Sequence, residues 1–185
     1  MKRYWIFLSI VSLTIAAAYI LREGYYPIAM VGNTLLSARN FSKQFEAAKT
    51  YYRKAQEVYG VSSTLPTANL EESVFEDLIE NALIHSEVEK EIGREAPHMV
   101  AERADSFLKD SELISAAEAV YGVSREEFRD MVLIPQAERE ILTGKLFLRG
   151  TGLADWLLKA KQNERVLLLV PGFRWAEGEV KKGKP

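Results

Sequence analysis

The 185 residues include no cysteine and only two histidines, His85 and His98. Without thiols there is no disulfide scaffold, no Cys-type zinc site, no cysteine nucleophile and no lipidated N-terminal cysteine. Two isolated histidines do not make a histidine-rich metal centre. No charge of one sign dominates. Lys plus Arg is 24 against 26 for Asp plus Glu, a net charge of −2. A near-neutral chain is poorly suited to general nucleic-acid binding, which depends on neutralising phosphates. Catalytic patterns are missing as well. There is no G-x-S-x-G, H-E-x-x-H, Walker loop or G-x-G-x-x-G. His85 and His98 read as structural or surface residues, no serine is linked to a base, and no metal or cofactor is expected.

What is present falls into two regimes. Tyr4 to Leu21 is an uncharged apolar run, interrupted only by Ser9, Ser12 and Thr14 and preceded by Lys2 and Arg3. As a helix it would reach roughly 27 Å, close to a bilayer core of about 30 Å. This predicts one transmembrane helix, an uncleaved signal anchor over residues 1–23. A cleaved signal, giving a soluble periplasmic version, and a buried core helix are the other readings. The positive-inside rule then puts the N-terminus in the cytoplasm and the rest of a single-pass membrane protein outside it. Residues 24–185 carry 21 basic and 25 acidic residues and read as one soluble domain over 24–178, followed by a disordered basic tail over 179–185.

Within the domain, residues 28–37 read as a strand with a Gly32-Asn33 turn signal, or as a small hairpin. Phe41, Phe45, Ala48, Tyr52, Ala55 and Tyr59 recur at alternating steps of four and three, one apolar stripe of a helix ended by Gly60. Asn69 and Glu72 read as a capping box for a helix reaching Ile92 and stopped by Gly93. Its acidic residues, from Glu71 to Glu95, read as a solvated face and not a cation site. Two shorter helices follow, over about 97–109 and from Ser111 to Gly122. Ser124 and Glu127 form a second capping box, with Val123 poised to staple onto Phe128, for a long helix that Pro135 should kink. A last helix, over about 152–164, precedes the apolar run Val166 to Val170, which reads as a buried strand. The segment Val-Tyr-Gly-Val-Ser occurs at 58–62 and again at 120–124. Shared helix-ending grammar accounts for it without a duplication.

The aromatic and methionine residues Tyr51, Tyr52, Tyr59, Met99, Phe107, Tyr121 and Met131 are the candidates for an apolar binding groove, because such side chains adapt to varied partners.

In order and spacing the chain resembles the N-terminal domain of SurA-type extracytoplasmic chaperones, a group that includes PpiD and PrsA proteins. The resemblance rests on three segments between residue 29 and about residue 148. Val31-Gly32-Asn33-Thr34-Leu35-Leu36-Ser37 is similar to the family's V-N-G-x-x-[IL]-[ST] opening, with Gly and Asn transposed. Residues 70–93 resemble its second helix, and Tyr121 to Phe128 its G-x-[ST]-x-x-[EQ]-[FL] entry to the last helix. The resemblance implies a mostly α-helical SurA N-terminal-like domain with a minor two-stranded sheet from the first and last strands, preceded by the transmembrane helix. It also implies a chaperone. The parvulin prolyl isomerase domains that relatives carry have no counterpart in residues 150–185, so the expected activity is that of a holdase and not an enzyme. Its expected partners are unfolded or nascent exported polypeptides, and the membrane through the N-terminal helix. A membrane-tethered structural adaptor for one folded envelope partner is the alternative.

Overall fold

The computed structural model describes residues 5, 12–14, 18–59 and 67–183. The chain is mostly helical, with two small sheets. Strand β1 (Pro27–Val31) turns at Gly32-Asn33 into β2 (Thr34–Ser37). Gly32 has φ +55°, and a Cβ there would also meet the Glu164 carboxylate at 3.0 Å. A positive φ at the first of two central residues is the type II′ geometry that suits a twisted hairpin. Ser37 then caps α1 (Ala38–Tyr59), its Oγ accepting from the Asn40 amide at 3.3 Å.

Helix α2 (Thr67–Ile92) begins two residues before Asn69, so Asn69 lies inside the helix and the expected capping box is not its start. A 3₁₀ turn at Gly93–Glu95 leads into α3 (Ala96–Phe107). Helix α4 (Ser111–Tyr121) is capped by Asp110, which accepts from the amides of Glu112 and Leu113 at 3.0 and 3.1 Å. The capping box of Ser124 and Glu127 opens α5 (Arg125–Phe128) as the sequence predicts. The kink expected at Pro135 takes a specific form. Residues Arg129–Leu133 wind as a π-helical turn, with the Ile134 amide bonded to the Arg129 carbonyl, and α6 (Ile134–Leu148) continues from there. Proline donates no amide and crowds the carbonyl four residues back, and the wider turn just before it relieves that conflict. Helix α7 (Leu153–Asn163), β3 (Val166–Leu168) and a hairpin of β4 (Phe173–Ala176) and β5 (Glu179–Lys182) complete the chain.

Three expectations are corrected. The sheet built by the chain ends has three antiparallel strands in the order β2-β1-β3, not two, because β2 also pairs with β1. The run 166–170 is not a buried strand. Only 166–168 are extended, and Leu167 and Leu169 face outward while Val166 and Leu168 pack inward. Residues 179–182 are not a disordered tail. They form β5, with Val180 buried, its amide bonded to Glu76 at 3.1 Å, and Lys182 paired with Glu71 at 3.4 Å.

The transmembrane helix expected ahead of the domain is also overturned. Among the described residues no helix is long and apolar enough to cross a membrane. The long helices fail on apolarity, since α2 has 26 residues but carries an acidic face. Most of the run from 4 to 21 lies outside the described residues.

Two apolar cores share α2. The first joins the three-stranded sheet, α1, residues 70–83 of α2 and the terminal hairpin. Phe41 lies 4.4 Å, centroid to centroid, from Phe75, and Phe75 lies 5.1 Å from Phe173. The second joins Ile84 and Val88 of α2 to α3, α4, α5 and α6. Trp156 and Leu157 of α7 pack against both.

Candidate functional site

The candidate residues gather in part. Tyr51 and Tyr52 sit near the end of α1, 41% and 38% exposed, with rings in an edge-to-face contact 5.6 Å apart. Tyr51 stacks on Tyr121 at the end of α4, centroids 5.5 Å apart and planes within 16°, and Tyr121 stacks in turn near Phe128 of α5 at 6.2 Å. The result is a row of four rings crossing from the surface of α1 into the second core. Local backbone chemistry places it. Gly122 ends α4 with φ +69° and its amide bonded to Glu118 O, and a Cβ there would meet Thr50 Cγ2 at 3.2 Å. Glycine at this position therefore both ends the helix and lets α1 approach Tyr121.

Met131 reaches the same place from the π-helical turn. Tyr121 and Met131 line a small pocket of about 170 Å³ with Lys43, Thr50 and Glu127. A second hollow of about 290 Å³ continues past Met131 to Asn40 and Gln44. The Lys43 ammonium donates to Glu127 Oε1 at 2.8 Å, tying α1 to α5. That contact, with the Ser124 amide, lowers the Glu127 pKa to about 2. The lining of the pocket thus combines a charged pair with the apolar side chains of Val123 and Met131. Lys54 further anchors α1 by donating to the Ala119 carbonyl.

The remaining candidates are elsewhere. Met99 lines a separate, open cleft of about 450 Å³ between α3 and α6, with Arg103, Glu140 and Ile141. Phe107 packs against the second core, under the Arg103 guanidinium at 4.8 Å. Tyr59 is the last residue of α1, and its side chain lies outside the described residues. One feature had no sequence signal. A cleft of about 480 Å³ between the Gly32-Asn33 turn, α2 and α7 is lined by Ser86, Glu87, Lys90, Trp156 and Glu164. Its walls come from three distant segments, and no local pattern links them.

His85 is not isolated. Its Nδ1 lies 2.6 Å from Oε1 of Glu138, a carboxylate buried in α6, and its Nε2 lies 3.5 Å from Glu89. The hydrogen bond to Glu138 raises the His85 pKa against the opposing effect of burial. This pair joins α2 to α6 at the margin of the second core. Among the described residues no group of three or more His, Asp or Glu side chains converges as a metal site.

No family model matches this chain, and neither a curated protein nor a solved structure does. The likeness to SurA-type domains thus stands on the sequence segments quoted above.

Proposed function

We propose that this chain binds unfolded or nascent polypeptides and shields their apolar segments, as a holdase without isomerase activity. The observation that carries this reading is the row Tyr52, Tyr51, Tyr121 and Phe128. It starts half-exposed and runs into a core, beside pockets that Met131 borders. Such a row offers aromatic faces to a visiting side chain without first having to unfold anything. Covering one tyrosine completely is worth about 1.5–3 kcal/mol, so the partial cover available here gives weak, reversible contacts. Weak contacts suit a holdase, which must release what it holds. The resemblance of 31–37, 70–93 and 121–128 to SurA-type segments supports the same reading.

The test is a photocrosslinker at position 52, presented to a chemically denatured client diluted into native buffer. Crosslinks to many unrelated clients, and slower client aggregation, are expected. Replacing Tyr51 and Tyr52 together with serine should remove most of both. Absence of crosslinks and of any effect on aggregation would end the proposal. Stoichiometric capture of one folded protein would point instead to an adaptor.

A further inference from the structure

The hairpin that opens the fold has an unpaired edge. The two-residue turn makes Val31 and Thr34 its closing pair, and main-chain groups alternate in direction from there. Bonds on the far side of β1 fix the phase. Gly32 N donates to Arg165 O at 2.9 Å and Leu169 N to Ile28 O at 2.8 Å, so even-numbered residues of β1 face β3. Ala29 and Val31 therefore face β2, where Leu36 and Thr34 meet them. The N–H and C=O of Leu35, between those two, point out of the sheet. So does the N–H of Ser37, since the next amide, of Ala38, turns back to Tyr26 O at 3.0 Å. Among the described residues no hydrogen bond reaches the outward groups of Leu35.

Exposed edges in folded proteins are usually blocked by a charge, a proline or a covering element. The strand Thr34-Leu35-Leu36-Ser37 contains neither charge nor proline, and the Leu35 side chain is 62% exposed. Register places Leu35 beside Met30, and Met30 beside Leu167, which is itself 43% exposed. An apolar stripe thus crosses the outer face of the sheet and ends at the open edge.

We infer that the β2 edge is a strand-addition site for an extended polypeptide segment, gripped through its main chain by Leu35 and Ser37. The ligand class follows from the chemistry. A donor and an acceptor at Leu35, followed by a donor two residues on, match the backbone of an extended chain about 4.8 Å away. The stripe favours an apolar side chain beside Leu35, and nothing at the edge selects charge. This inference rests on the polypeptide-binding reading and adds a second contact to it, one that reads main chain where the tyrosine row reads side chains.

The test uses the full chain and a fluorescein-labelled peptide of alternating valine and serine, with binding followed by anisotropy. Leu35→Pro removes an outward N–H that the β1–β2 ladder does not use, a place where an edge strand tolerates proline. It should weaken binding about tenfold, while Leu35→Ala, which keeps the main chain, should cost less than about threefold. The same peptide N-methylated on every residue, which blocks both of its edges, should not bind the unmodified chain. This arm holds even if Leu35→Pro lowers the melting midpoint. Equal binding of parent and N-methylated peptides would overturn the inference, as would a concentration-dependent dimer that Leu35→Pro abolishes, which would make the edge a contact between copies. If clients still bind and depend only on Tyr51 and Tyr52, the edge inference fails and the holdase reading survives. If neither peptide nor client binds, both fall.

Discussion

The two cores that share α2 are built in opposite ways. The first draws on sequence-distant pieces: the opening hairpin, α1, the first part of α2, α7 and the terminal hairpin. Large rings fill it, with Phe75 between Phe41 and Phe173. The second is almost contiguous in sequence, from Ile84 to Leu157, and its helices meet at small residues, Ala96, Ala104, Ala117 and Ala137. It also holds a buried carboxylate, Glu138. Both candidate contacts for a polypeptide lie at the margins of these cores. The tyrosine row joins α1 to the second core, and the open edge borders the first. The lesson is that a core assembled from distant segments leaves strand edges and clefts between its parts, whereas a local helical core leaves mainly helix faces.

The largest expected effect breaks the first core. Phe75 is 1% exposed and touches rings on both sides. Phe75→Ala should cost about 4 kcal/mol in urea unfolding. A loss under about 1 kcal/mol would mean that the sheet and terminal hairpin do not depend on this ring. Next comes the second core. Leu142, equally buried, should cost about 3 kcal/mol as Leu142→Ala. The informative readout is amide exchange. If the cores are separable, Leu142→Ala should speed exchange in α3 and α6 more than in β1 and β5. Uniform loss of protection would show that α2 and Trp156 weld them into one unit.

A smaller effect tests the polar element of the second core. His85 has its pKa raised chiefly by its hydrogen bond to Glu138, so the folded value lies above the unfolded one. The stabilisation is therefore full below about pH 6.5 and is lost as pH rises through the folded value. The charged groups facing the ring are Glu138 from α6 and Glu89 from its own helix. Because the imidazole is nearly half exposed, the gain is screened, and His85→Gln should cost about 1 kcal/mol at pH 5.5. The melting midpoint of the unmodified chain should fall between pH 5.5 and 8.5 by more than that of His85→Gln. Parallel curves would remove the pair from the account.

The sequence made the helical half legible and the sheet half only partly so. Periodic apolar spacing located α1, α3, α4 and α7, and the Ser124 box was visible because its partners are three residues apart. The terminal hairpin was not, because its burial is decided by α2. Val180 is covered only once Glu76 and Phe75 are in place, and three lysines nearby suggest a solvated tail. Glu177-Gly178, both with positive φ, is the turn signal that was there to be read. Pro135 announced a kink, but not that the π-helical turn would fall before it and carry Met131 towards Tyr121. Of the candidate site, the spacing of Tyr51 and Tyr52 was visible. Their meeting with Tyr121 depends on how α1 crosses α4, which no local pattern encodes.

The smallest expected effect sharpens the boundary between the cores. Lys43, on a helix of the first core, pairs with Glu127, at the entrance to the second. Glu127 has its pKa lowered to about 2, so its contribution is present above about pH 4.5 and lost as pH falls towards 2. Both side chains are more than a third exposed, so the pair is worth under about 1 kcal/mol. Lys43→Met keeps the apolar stem and removes the charge. It should lower stability by about 0.5 kcal/mol at pH 7 and by almost nothing at pH 2. The Ser124 amide, at 3.2 Å, still holds the carboxylate in the variant, so the Glu127 midpoint should rise only part of the way to its ordinary value in a carboxyl-carbon NMR titration. If the midpoint does not move, the capping box alone sets the charge, and α1 is held to the second core by Lys54 and the tyrosine row.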